Sequence, residues 1–236
     1  MIDIHCHLNF DVDDGPKTIE ESIEMLKHAK MQGITGIILT PHYRHGMFPY
    51  PKNKIEEHYF KLGPVAKELG IDLYLGTEYH VNSDIIDGYK KGLYHTLADT
   101  RYVLTEYSHN SEFSYIHKMS QALILAGYIP VIAHIERYGC IAGEPEKAAE
   151  LQELGAWIQV NADAVLGLEG RAAKKLCKKL LKEEWVDVVA SDSHGIKERG
   201  CHMDKCYSYI AKKYGEDYAR RLMQDNPARV TNGQAI

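Results

Sequence analysis

No two cysteines of this 236-residue chain stand at C-x-x-C spacing. The five that occur (Cys6, Cys140, Cys177, Cys201, Cys206) are odd in number and irregularly placed. A zinc ribbon and a thioredoxin-type motif are thereby excluded, and reduced, packed thiols are expected. No cysteine has arginine six positions later; Val12, Glu146, Glu183, Tyr207 and Lys212 fill those places. The chemistry of a cysteine-based phosphatase is therefore absent. Long apolar runs are also lacking. The longest, ALILAGYIPVIA, is short and broken by Gly127 and Pro130, so no membrane insertion is expected. No basic start leads into an apolar core and a cleavage site, which predicts a cytoplasmic protein without a signal peptide. Positive charge is not in excess: the formal net charge is −5, so no nucleic-acid partner is expected. The chain has no P-loop, no G-x-G-x-x-G and no G-x-S-x-G elbow. DVDDG is not an EF-hand loop, because Ser22 stands where the bidentate Glu belongs.

What is present is an ordinary globular composition, 44% hydrophobic and 26% charged, with 13 His and 16 Tyr. The length suits one domain over residues 1–236 with a sizeable core. Seven short apolar runs recur: IDIHCH, GIILTPH, DLYLGTE, RYVLTE, PVIAH, AWIQVN and VDVVASDSH. Each opens on continuous aliphatic or β-branched residues, as strands buried on both faces do. Helical patterns separate them. TIEESIEMLKHAKMQG places Thr18 and Glu21 at capping-box spacing and ends at Gly33. NKIEEHYFKLGPVAKELG ends at Gly70, with a break or kink expected at Pro64. Alternating strands and helices predict an α/β chain with one parallel sheet.

Six of the seven runs end in residues able to bind metal: His5 and His7, His42, Glu78, Glu106, His134, and Asp192 with His194. The seventh ends in Asn161. A closed barrel gathers all strand C-termini at one face, whereas an open sheet spreads them along an edge. The pattern therefore predicts a barrel. On a strand, His5 and His7 share a face and Cys6 points away into packing. Five histidines and three carboxylates, with one Asp of the DVDDG loop, are too many donors for one ion. Two or three divalent ions follow, and mixed imidazole and carboxylate donors suit Mn, Zn or Fe better than Ca or Mg. Adjacent ions of this kind make a hydrolytic site with a local positive surplus suited to phosphate.

MIDIHCH, FDVDDGP, TPHYRHGMF, GTEY, RYVLTE, PVIAHIERY, QVN and ASDSH follow in that order, and DNPARVTNG closes the chain. Together they resemble the polymerase-and-histidinol-phosphatase (PHP) superfamily. More narrowly, they resemble its manganese-dependent bacterial tyrosine-protein phosphatases of capsule and exopolysaccharide biosynthesis. The resemblance implies the PHP fold, a distorted (β/α)7 TIM-like barrel, and three metals, Mn2+ with Fe or Zn as alternatives. It implies that His5, His7, Glu78 and Asp192 hold one ion. Glu78 would bridge to a second ion held with Glu106 and His134, and Asp14, His42 and His194 would hold a third. Spacing alone leaves Asp11, Asp13 and Asp14 open; the resemblance selects Asp14. Arg137 and Arg199 would bind phosphate, since an arginine fork matches its oxygens. Arg44 and His45 receive no role. The implied substrate is phosphotyrosine in the tyrosine-rich tail of a bacterial tyrosine kinase. The rival readings are histidinol-phosphate hydrolysis and a non-catalytic binding module. Relatives of the former tend to carry His where Asp14 and Glu106 stand here, and the latter usually goes with lost ligands.

Overall fold

The buried apolar runs become short strands in the computed structural model, which describes residues 1–234. They are β1 (Ile2–Cys6), β2 (Gly36–Leu39), β3 (His42–Tyr43), β4 (Asp72–Leu75), β5 (Glu78–His80), β6 (Tyr102–Glu106), β7 (Ile129–Ile132), β8 (Trp157–Asn161) and β9 (Val188–Ala190). Every pairing between them is parallel. GIILTPH and DLYLGTE, expected as one strand each, are each divided in two. Pro41 has no N–H to give a ladder, so the second run breaks there. Thr40 N bonds to Cys6 O at 2.9 Å, and Glu78 N to Pro41 O at 3.2 Å. The third run breaks at Gly76, where a Cβ would lie 2.8 Å from Leu97 and 2.9 Å from Ile38. Only glycine lets the chain pass this crowded point.

One sheet has the order β1-β2-β4, the other β3-β5-β6-β7-β8-β9. A parallel bridge between Cys6 and Ser193 returns β9 to β1, joined by Asp192 N to His5 O at 2.9 Å. The seven runs thus curl round in chain order as a distorted (β/α) barrel. The distortion lies between β4 and β6, which form no ladder. A single 3₁₀ turn, Leu97–Asp99, occupies that gap with Leu97 fully buried.

Side-chain alternation divides the core in two. Ile4, Ile38, Leu104, Val131, Trp157 and Val188 are among those that fill the barrel interior, and Val230 of the C-terminal helix Asn226–Asn232 joins them. Cys6, Ile37, Leu39, Val103, Ile132 and Val189 face outward into the larger cluster under the helices. Each fully buried Leu, Ile or Val there contributes roughly 1.5–3 kcal/mol. Helix α1 (Ile19–Met31) is capped as its sequence predicts, with Glu21 N donating to Thr18 Oγ1 at 3.3 Å. The Glu21 carboxylate accepts from Lys17 N at 2.6 Å rather than from Thr18. Helix α2 (Lys52–Glu68) runs through Pro64 without the expected break. Pro64 and Phe60, whose carbonyl loses its partner, lie on the exposed face where water can serve instead. Among the described residues no helix is long and apolar enough to cross a membrane.

Candidate metal centre

The alternation that fills the barrel with apolar side chains also delivers the polar ones above them. Tyr102 and Leu104 point inward on β6, and Glu106 follows two residues on. Val188 and Ala190 lead in the same way to Asp192, and Trp157 leads through Gln159 to Asn161. On β1 the register shifts between Asp3 and Cys6. Such a bulge lets Ile4 pack in the interior while His5 and His7 still face the centre. Two further ligand candidates sit on left-handed backbone, His134 at φ 33° and Asp192 at φ 52°. That conformation is unfavourable for residues with side chains and collects at functional sites.

His5 Nε2 and His7 Nε2 are 3.2 Å apart. Each lies 3.1 Å from Glu78 Oε2 and 3.4 or 3.5 Å from Asp192 Oδ1. These four side chains bring their ligand atoms within 4.8 Å of one another, close enough to hold one ion. Asp14, His42 and His194 form a second, which His7 also joins. Glu78 and Glu106 form a third together with His42. His134 stands outside these three groups, its Nε2 2.8 Å from Glu78 Oε1 and 4.0 Å from Glu106 Oε1. The three groups are linked to one another, with His7, His42 and Glu78 each shared between two of them, and His134 joins them through Glu78.

The donor set fits divalent cations. Buried ring and carboxylate atoms crowd one another without well-formed hydrogen bonds: Glu78 Oε2 and His42 Nδ1 are 3.0 Å apart, His194 Nε2 is 3.2 Å from Asp14 Oδ1, and Glu106 Oε2 has no partner. Such a cluster of poorly paired donors is costly unless an ion satisfies it. Burial, and then the neighbouring Glu78 carboxylate, push Glu106 up to about 8. Two carboxylates in that relation call for a positive charge between them. Burial pushes His42 down to about 4 and also lowers His134 and His194, leaving all three as neutral imidazoles at pH 7. Burial opposes charge on His5 and His7 too, but carboxylates outweigh it and raise both. A bound ion would displace any proton on these two rings.

Several supporting residues escaped the sequence reading. Asp13, unassigned there, accepts from His7 Nδ1 at 2.8 Å. This contact fixes the tautomer that leaves His7 Nε2 a lone pair toward the centre. Asp13 also takes His42 N at 3.0 Å and Gly15 N at 2.9 Å. A Cβ at Gly15 would lie 2.6 Å from His7 O, so only glycine lets this loop approach. Asp11 instead ties the loop down from outside. Its N–H bonds Pro16 O, and its carboxylate pairs with Lys54 of α2 at 2.7 Å. Gln159 Oε1 serves both His5 Nδ1 at 3.2 Å and His134 N at 2.8 Å. Its Nε2 donates to Asn161, whose own amide donates to Asp192 Oδ2 at 2.9 Å. Alternation alone showed that Gln159 and Asn161 share a face, and a buried polar pair between metal-binding strands was the available signal.

Both arginines reach Asp192. Arg137 Nη2 is 2.9 Å from Asp192 Oδ2, and the same guanidinium bonds both oxygens of Glu169 at 3.2 Å. Arg199 Nη2 lies 3.1 Å from both Asp192 oxygens, with Nη1 3.2 Å from Asp14. Of the two residues without a role, Arg44 is half-buried and close enough to bias Glu106, while His45 is exposed. Phe48, in the same loop, stacks on His42 at 5.1 Å with planes 9° apart. Asp13→Ala should lower metal affinity or activity about 10–100-fold, as loss of a ligand's orienting partner does. Metal titration of the variant checks this; unchanged affinity and turnover would give Asp13 only the loop.

The structure superposes on a solved structure reported for YwqE from Bacillus subtilis and CpsB from Streptococcus pneumoniae with TM-score 0.93 and 31% identity, covering 100% of this chain and 96% of the other. Those two proteins are described as unique metal-dependent tyrosine phosphatases. An organophosphorus hydrolase from Deinococcus radiodurans matches at TM-score 0.63 and 13% identity, which shows the fold alone. In sequence, the tyrosine-protein phosphatase CpsB of S. pneumoniae is 38% identical over 243 residues, 100% of both chains. The tyrosine-protein phosphatase YwqE of B. subtilis is 31% identical over 98% of this chain and 92% of its own. The family described as capsular polysaccharide synthesis, CpsB/CapC, matches residues 1–232. With that match beside relatives similar over the full length, the chain belongs to the CpsB/CapC family.

Proposed function

We propose that this protein is a metal-dependent tyrosine-protein phosphatase. The observation that carries the reading is the meeting of Arg137 and Arg199 on Asp192, beside the His5, His7 and Glu78 cluster. Two or three divalent ions would be held there, Mn2+ being the one the family resemblance implies; Fe and Zn suit the same donors. His5, His7, Glu78 and Asp192 would take one, Glu106 and His134 a second with Glu78 shared, and Asp14, His42 and His194 a third. Bound ions supply Lewis acidity toward phosphate oxygens and activation of water at neutral pH.

The protein's own groups do the rest. Asp192 holds both guanidinium groups over the centre, so their N–H donors are fixed before substrate arrives. Arg137 and Arg199 then bind phosphate oxygens and stabilise the charge that grows on them as the ester bond breaks. Asp13, Gln159 and Asn161 keep the ligand rings and Asp192 from turning. Tyrosinate leaves with a pKa of about 10, so it needs less protonation than an alkoxide. The substrate is the tyrosine-rich tail of a bacterial kinase governing capsular or extracellular polysaccharide, in the cytoplasm. Purified protein supplied with Mn2+ should cleave a phosphotyrosine peptide at least about tenfold faster, in kcat/KM, than histidinol phosphate. Equal or reversed preference would move the function to small phosphomonoesters.

A further inference from the structure

Beside the metal centre, α1 and the loop that follows β9 enclose a groove of about 690 Å3. Asp14, His194 and Arg199 belong to both. The groove is much larger than a phosphate needs, and it continues outward from where the phosphate would sit. One wall carries Glu20, Glu21 and Glu24 from the first two turns of α1. The other carries Ile196, Lys197 and Glu198. Arg199 is turned toward the centre by Asp14 and Asp192, where its charge serves the phosphate site rather than the outer groove. Lys197, and Lys27 in an exposed pair with Glu24 at 2.7 Å, then face four glutamates, and the groove keeps an acidic surplus. Its floor is apolar, built from buried Pro16 and Met25, with Ile196 left 46% exposed at the rim. Buried His194 stands where groove and centre meet, its Nε2 3.2 Å from Asp14 Oδ1.

An apolar floor under an acidic wall fits a side chain with a hydrocarbon stem and a cationic head. An anionic polymer or a second phosphate would be repelled. We infer that this groove seats a lysine or arginine that flanks the phosphotyrosine in the substrate chain, an inference that rests on the phosphatase reading. Glu20 and Glu24 are the specificity residues, because both are exposed, neither supports a metal ligand, and the exposed pair of Glu24 with Lys27 is weak enough to be exchanged. Glu21 also serves the backbone at Lys17.

The test uses the full chain loaded with Mn2+ and a set of phosphotyrosine peptides. The peptides differ only in carrying Lys, Gln or Glu at each position near the phosphotyrosine. Lys-flanked peptides should exceed their Glu-flanked counterparts about fivefold in kcat/KM, mainly through KM, and the gap should shrink in high salt. The double variant E20K/E24K should invert that order, and E20Q/E24Q should flatten it. Hydrolysis of p-nitrophenyl phosphate, too small to enter the groove, should stay unchanged in both. If both variants keep the parent's order, or the parent shows none, the groove does not read the substrate. If the parent cannot hydrolyse p-nitrophenyl phosphate at all, the phosphatase reading falls and the groove's role with it.

Discussion

Glu78→Gln should strip the protein of most of its metal and reduce phosphotyrosine hydrolysis by about a thousandfold or more, given the several kcal/mol that metal catalysis supplies. Glu78 is fully buried and lies against four of the candidate imidazole ligands. Its Oε2 lies 3.1 Å from the Nε2 of both His5 and His7 and 3.0 Å from His42 Nδ1, while Oε1 lies 2.8 Å from His134 Nε2. It belongs to two of the three ligand groups. The amide keeps the shape but loses the charge and places an N–H₂ among rings that must present lone pairs. Bound cations would then lose a shared anion, and His5 and His7 the carboxylate that lies 3.1 Å from both. Metal analysis and a turnover assay on the same sample, with circular dichroism to verify folding, check the result. A folded variant with full metal content would show that Glu78 is not a ligand.

Arg137→Ala should lower kcat about 10²–10³-fold while metal content stays that of the parent, the loss expected when one preorganised donor to transition-state charge is removed. The guanidinium is largely buried between Glu169 and Asp192, and those two carboxylates fix its plane. Burial opposes its charge, yet Asp192 and Glu169 outweigh burial and raise its pKa, so it remains a cation throughout the working range. Arg137→Lys keeps a charge but not the fork, and most of the loss should remain. Phosphate inhibition gives a second readout: the affinity for inorganic phosphate should fall with kcat. If metal is lost instead, Arg137 acts by holding Asp192 and not by binding substrate.

Much of this was legible from the chain because one physical rule set both the fold and the site. Apolar runs such as RYVLTE and VDVVASDSH announce strands covered on both faces, and alternation then carries the inward parity up to Glu106 and Asp192. His5-x-His7 could be read as one face in the same way, with Cys6 turned into the outer core. What could not be read depends on how distant segments meet. Nothing local to DVDDG shows that Asp13 rather than its neighbours turns toward His7 Nδ1, because that is decided by a glycine approach to His7 O. The contacts of Gln159 with His5 and His134 join β8 to two other strands, and alternation gives a face but not a partner. The sharing of His7 and His42 between ligand groups follows from ring positions that spacing cannot supply. The break at Gly76 needed the crowding of Leu97 and Ile38 to be known, although the neighbouring break at Pro41 follows from a missing N–H.

This cluster of imidazoles and carboxylates is held to bind the ions that make the chain a phosphotyrosine hydrolase. The most direct measurement is a metal titration of chelator-treated protein, with bound Mn2+ per chain and phosphotyrosine-peptide hydrolysis read together. No turnover is expected in the metal-free protein, followed by a rise that saturates when two or three ions are bound. Turnover that persists after complete metal removal, or full occupancy without hydrolysis, would contradict that role.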